Sequence, residues 1–227
     1  KYSPQFLNMG ISYAKGFSDD IYAGLMIKVI TEKTANVSAR GIALDAGIQY
    51  ITGKDDQIKF GIALKNWGPR MKFSGDGLSF KTPIPAATNG ANTMTVDQRA
   101  AQFELPALLN IGVGYDFYLT QAQDSLKTKN NRITVMGAFT ANSFQKDQFR
   151  IGLEYGWKNI LMIRGGYNFE KGIFSSSDRT TVYTGPCAGF TLEIPLGKNK
   201  STFGIDYSYT ATNPFQGTHS IGVRINL

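Results

Sequence analysis

Along most of this chain apolar and polar residues alternate one for one. The clearest run is Gln148 to Glu170, QFRIGLEYGWKNILMIRGGYNFE. Phe149, Ile151, Leu153, Tyr155 and Trp157 fall on one face, and Gln148, Arg150, Gly152, Glu154 and Gly156 on the other. After Lys158 and Asn159 the scheme repeats, with Leu161, Ile163, Tyr167 and Phe169 opposed to Met162, Arg164, Asn168 and Glu170. Strand side chains alternate faces with a period of two, so the run predicts a hairpin with one apolar and one charged face. Its arms are about 10 residues long and end in aromatics, which is the length and edge chemistry of a strand crossing a bilayer in a barrel.

The same alternation recurs over 9–15, 21–29, 41–50, 58–65, 109–117, 133–142, 188–194, 203–210 and 220–227, which with the hairpin makes eleven antiparallel strands. Polar turns at 17–20, 33–36, 52–56 and 198–200 punctuate them. No helical period of useful length occurs. Two stretches break the rhythm. Residues 66–106 hold Gly68-Pro69, Pro83, Pro85, Pro106 and the small run Ala86 to Ala91, and read as an unstructured loop of about 40 residues, a length that is commonly functional or disordered. Residues 171–185 form a second long loop around Ser175 to Asp178, and a polar loop runs from Gln121 to Asn131.

Composition bears on the solvent. Glycine weakens an exposed strand, yet Gly24, Gly47, Gly61, Gly112, Gly114, Gly152, Gly156, Gly204 and Gly222 all lie on the polar faces. A narrow barrel interior explains them, because inward side chains share limited space. The charges of those faces are mixed in sign: Asp45, Lys59, Lys65, Asp116, Arg150, Glu154, Arg164, Glu193, Asp206 and Arg224. Such groups pair or stay hydrated across a lumen. The expected fold is therefore all-β, a single antiparallel transmembrane β-barrel domain over 1–227. A soluble β-sandwich is the alternative. The absence of any run of 18 apolar residues excludes a membrane-spanning helix and says nothing against a barrel. With Leu227 on the periplasmic side, the loops at 67–106, 171–185 and 212–217 fall outside, and the turns at 52–56, 158–159 and 195–201 fall inside. The loop at 119–131 is longer than an inner turn should be.

The net charge of +7 comes from 24 Lys and Arg scattered among 17 acids, with no basic stripe, so nucleic acid is not an expected partner. Cys187 is the only cysteine and forms no internal disulfide. The sequence opens at Lys1 without an initiator Met, which fits either a removed signal peptide or an internal piece of a longer chain.

Candidate chemistry is sparse. Trp67 and Arg70, with Met71 and Phe73, sit at a strand end where the longest loop begins. They read either as an interfacial Trp followed by a turn or as an aromatic and basic contact surface for a partner. Phe174, Arg179 and Tyr183 make a similar set in the second loop. His219 is the only histidine and Ser220 adjoins it, but adjacent strand residues point to opposite faces and make a poor nucleophile–base pair. Gly112-Val113-Gly114 opens no helix and is no dinucleotide loop. The carboxylates have no metal-ligand spacing. No catalytic residue, metal or cofactor is expected.

Several phrases occur together in a telling order: Ala39 to Tyr50, Phe60 to Gly68 leading to Met71 to Gly75, Phe103 to Tyr115, Phe203 to Tyr209, and Thr218 to Ile225. In this the chain resembles the PorV family of Bacteroidetes outer-membrane proteins, relatives of the FadL fatty-acid transporters. The resemblance implies a FadL-like barrel of fourteen strands, so that an N-terminal plug and about three strands would precede Lys1, an even count being usual for bacterial barrels. It implies an outer-membrane location among lipid and a non-enzymatic role in type IX secretion. Implied partners are the type IX translocon barrel, the C-terminal domains of secreted cargo and the sortase-like surface attachment complex. FadL kinship implies the alternative of a transporter for hydrophobic small molecules.

Overall fold

The computed structural model describes residues 3–84, 93–119, 131–158, 160–175, 177–179, 181–196, 201–213 and 215–226. Among them there is no α-helix. The strands are β1 (Gln5–Gly16), β2 (Ile21–Thr34), β3 (Val37–Thr52), β4 (Ile58–Trp67), β5 (Met71–Lys72), β6 (Ser79–Pro83), β7 (Thr93–Asp97), β8 (Gln102–Phe103), β9 (Leu108–Tyr118), β10 (Asn131–Asn142), β11 (Gln148–Trp157), β12 (Leu161–Glu170), β13 (Tyr183–Pro195), β14 (Thr202–Thr212) and β15 (Thr218–Asn226). Eleven of them form one antiparallel sheet in the order β1-β2-β3-β4-β9-β10-β11-β12-β13-β14-β15. These are the eleven strands that the alternation predicts; β11 and β12 keep the predicted bounds and the others run somewhat longer than their apolar pattern. The sheet is open, with β1 and β15 as its two edges. The small run 86–91, the loop residues 121–130, the turn residues 197–200, Asn159 and Leu227 lie outside the described residues.

Close contacts group the chain into two compact units. One comprises residues 1–15, 23–47 and 64–108, and the other 16–22, 48–63 and 109–227. In the second unit the ladders from β10 to β15 are strict hairpins. Phe149 faces Phe169, Glu154 faces Arg164, and Trp157 faces Leu161. One irregularity interrupts them, between Tyr183 and Cys187, where Gly185 takes a positive φ of 112° ahead of Pro186. Tyr183 is consequently the first residue of β13, and the second loop ends before it rather than at 185.

In the first unit the described parts of the stretch 67–106, residues 67–84 and 93–106, carry short strands where an unstructured loop is expected. β5 pairs with β8, Met71 opposite Phe103, and β6 pairs with β7, Phe80 opposite Val96 and Thr82 opposite Met94. The two ladders share their register to within two residues, so they are successive stretches of one interrupted hairpin arm. The interruptions have local causes. Asn66 adopts a left-handed φ of 58°, Pro69 follows it, and Gly75 at φ 136° leads into a single 3-10 turn at Asp76–Leu78. Pieces of two and five residues are too short to carry a visible alternation.

The buried apolar cluster of this unit holds Ala39, Ala43, Met71 and Leu105, with Ile30, Phe73 and Phe103 packed against it. Met71 is only 2% exposed, and this overturns its expected place on a contact surface. The reason is the space above Gly41. A Cβ there would stand 2.6 Å from Met71 Cγ, so the thioether side chain occupies the room that glycine leaves.

Candidate functional site

The polar face of the second unit carries a belt of paired charges. Asp116, fully buried, accepts Lys59 Nζ at 2.6 Å and Thr134 Oγ1 at 2.5 Å, and Arg132 Nε stands 3.9 Å away. The other edge of the Arg132 guanidinium bonds to Glu154. Glu154 Oε2 in turn accepts Arg164 Nε at 2.5 Å, directly across the β11–β12 ladder. Arg164 Nη1 reaches Thr191 Oγ1 at 2.8 Å, and Thr191 donates to Asp206. Beyond it, Glu193 accepts Thr202 Oγ1 at 2.7 Å and lies 3.6 Å from Arg224. From β4 through β9 to β12 bases and acids alternate from strand to strand, so the buried Asp116 and Glu154 each have a cation beside them. β13 and β14 both bring acids, Glu193 and Asp206, and threonine hydroxyls with Arg224 meet them.

Glycine makes room for this belt. A Cβ at Gly156 would meet the Arg132 guanidinium at 3.9 Å, and one at Gly204 would meet the Arg224 guanidinium at 3.5 Å. The long cations lie flat over glycine backbone to reach acids that are not their direct ladder partners. Glu193 faces Gly204 and Gly204 faces Arg224, so that ion pair spans a whole intervening strand.

Of the expected polar-face residues, Lys59, Asp116, Glu154, Arg164, Glu193, Asp206 and Arg224 therefore join the pairings just described. Arg150 is exposed and donates to Gln148 Oε1 at 2.7 Å instead of to a carboxylate. In the first unit Asp45 pairs with Lys28 Nζ at 2.7 Å and accepts the Asn66 amide at 2.7 Å. Arg132 and Thr134 are members that the apolar pattern does not announce. They precede or begin the apolar run of β10, and only the β10–β11 register, with Thr134 opposite Glu154, shows their place.

The opposite face is apolar and bare. Ile151, Leu153 and Ile163 are 55%, 57% and 52% exposed, while Glu154 on the other side is 8% exposed. Across β10–β12 this face is organised in rows. Phe139, Phe149 and Phe169 stand in register at one end, and Tyr155 and Trp157 lie at the other. Val135, Ile151, Leu153 and Ile163 fill the middle. Lys158 Nζ caps the Trp157 ring at 5.1 Å. His219 belongs to the same face: its Nδ1 is 2.8 Å from Tyr207 Oη, and its ring lies against Tyr209. Ser220 points to the other side and faces Ser208, so the two make no nucleophile–base pair.

The expected contact residues divide. Trp67 is exposed at the end of β4, and Arg70 is exposed and bonds Glu104 at 2.5 and 2.9 Å. Phe73 is half-buried and stacks on Phe103 at 5.3 Å. Phe174 is 82% exposed and leans over Tyr167 and Phe169, so it continues the apolar face. Arg179 is half-buried, with its amide bonded to the Ser175 carbonyl. The second loop is held by its own contacts: Ile173 is buried, and Lys146 Nζ bonds the carbonyls of Lys171 and Asp178. Among the described residues no group of three or more His, Cys, Asp or Glu side chains is placed to hold a metal ion.

The class defined by these observations is an all-β protein built on one large open antiparallel sheet. No protein-family model matches the chain, and no curated protein matches its sequence.

Proposed function

We propose that this chain is the wall of a bacterial outer-membrane β-barrel and that it works by binding and transport, without catalysis. The observation that carries the reading is the inversion of the sheet: its aliphatic face is bare while Asp116, Glu154 and Glu170 are buried on the other. In water this arrangement is unfavourable, because soluble proteins bury apolar groups and hydrate charge. In a bilayer it is the favourable one. The aromatic rows support the same reading. Phe149 and Trp157 are eight residues apart, ~27 Å along a strand. A tilt of about 40° reduces that to ~20 Å, close to the apolar band of about 25 Å that aromatic girdles flank in such barrels.

At a finer level the protein serves type IX secretion in the manner of the PorV family, accepting cargo C-terminal domains at the translocon barrel and carrying them to the attachment complex. The order of the family phrases supports this, and the exposed Trp67, Arg70 and Phe174 are the side chains on offer for contact. The apolar cluster on the polar face is filled by Met71 and Leu105, and the paired charges of the belt occupy much of the rest, which disfavours a carrier of hydrophobic small molecules. Affinity capture with the full-length protein in detergent should recover cargo C-terminal domains or the translocon. Recovery of neither, with export intact in a deletion strain, would overturn the secretion reading. A full-length protein that is monodisperse without detergent would overturn the barrel itself.

A further inference from the structure

The base of the hairpin arm is fastened to one particular side of β3. Ala39, Gly41 and Ala43 share a face with Asp45, and Ile30 shares one with Lys28, so all belong to the polar side of the sheet. Met71 and Leu105 close over these small residues, and Phe73 and Phe103 stack beside them. The fastening is redundant. Asn66 donates its amide to Asp45, bonds Lys28 through its side-chain oxygen, and gives its side-chain NH2 to the Pro106 carbonyl at 3.0 Å, which ties the two legs of the arm together. Arg70 bonds Glu104 across the same legs. Ser74 and Ser38 exchange two backbone hydrogen bonds of 2.9 Å, and the Gly77 amide reaches the Asn36 carbonyl. Gly68 admits the approach, since a Cβ there would stand 2.2 Å from the Ile42 carbonyl oxygen.

From this placement we infer that the arm's legs, residues 66–78 and 98–107, are an inward-folded restriction of the barrel mouth, and that Met71 seated on Gly41 keeps it shut to small solutes. The inference rests on the barrel reading, in which the polar side of β3 faces the lumen. An apolar cluster seated on the polar face, beside the Lys28–Asp45 ion pair, adds no contact to the lipid-facing side of the wall. It excludes water and narrows the space beside β3.

The test is solute flux through phospholipid vesicles holding the full-length protein. Gly41→Leu fills the seat of Met71 and should raise the rate of sugar-driven vesicle swelling severalfold. Gly41→Cys with Met71→Cys, in a Cys187→Ser background, places two sulfurs at that seat. The oxidised pair should match the low flux of the parent, and reduction should raise it. Inserted, heat-modifiable variants with flux equal to the parent's, or a cross-linked pair indifferent to reductant, would overturn the restriction while leaving the barrel standing. Protein that never inserts or becomes heat-modifiable would remove the barrel reading and this one with it.

Discussion

Glu154 joins two arginines from two neighbouring strands, one through each carboxylate oxygen. Glu154→Ala leaves Arg132 and Arg164 facing one another with nothing between them. Removing one partner of a fully buried ion pair costs about 3–5 kcal/mol. Arg164 keeps access to solvent, and the expected loss here is about 2 kcal/mol. Denaturant unfolding of vesicle-inserted protein measures it, and Arg224→Ala, whose pair is longer and more exposed, should cost less than half as much. Two adjacent glycines supply a sharper residue-scale contrast. A Cβ at Gly166 would stand 2.9 Å from the Ile151 carbonyl oxygen, whereas one at Gly165 meets nothing within 4 Å. Gly166→Ala should therefore destabilise by about 1–3 kcal/mol, and Gly165→Ala should leave the unfolding midpoint where it is. Equal effects would show that the polar face is not crowded.

At the scale of the element, the hairpin β11–β12 separates the two solvents that its apolar face can meet. An arginine at the middle of a lipid-facing strand costs about 2–4 kcal/mol and little near the interface, whereas a surface substitution in water stays within about 0.5 kcal/mol. Leu153→Arg should thus cut the yield of folded, heat-modifiable protein in vesicles, while Trp157→Arg at the rim should change it little. Identical yields would argue for an aqueous surface. This hairpin was readable in advance because ten residues of strict alternation determine strand, face and length together. The arm at 67–107 was not. Its strands of two and five residues show no full pattern, and its prolines and glycines, which mark loops in general, here mark kinks within a hairpin. The burial of Met71 is illegible for a related reason: its seat is the vacancy over Gly41, thirty residues upstream, and a vacancy leaves no trace in hydropathy. Arg132 lay one residue outside the apolar run of β10 and became visible only through register.

For the whole molecule, the expected outcome is that the protein requires detergent or lipid to stay dispersed and that its strand content survives transfer into vesicles, which circular dichroism checks. The belt adds something about how such a wall is made. Arg132 and Glu154, Glu154 and Arg164, and Thr191 and Asp206 are each partners on strands consecutive in the chain. A wall laid down from its end hairpin by hairpin never carries a bare charge toward the bilayer for long, because the strand that brings an acid adjoins the one that brings its base. Glu193 and Arg224 wait one strand longer, with β14 between them, and Lys59 and Asp116 wait longest, 57 residues apart with the whole arm between them. Closing so long a segment is slow relative to turning a hairpin. The joint between β4 and β9 is accordingly where assembly should pause, and where a chaperone would have most reason to hold the chain.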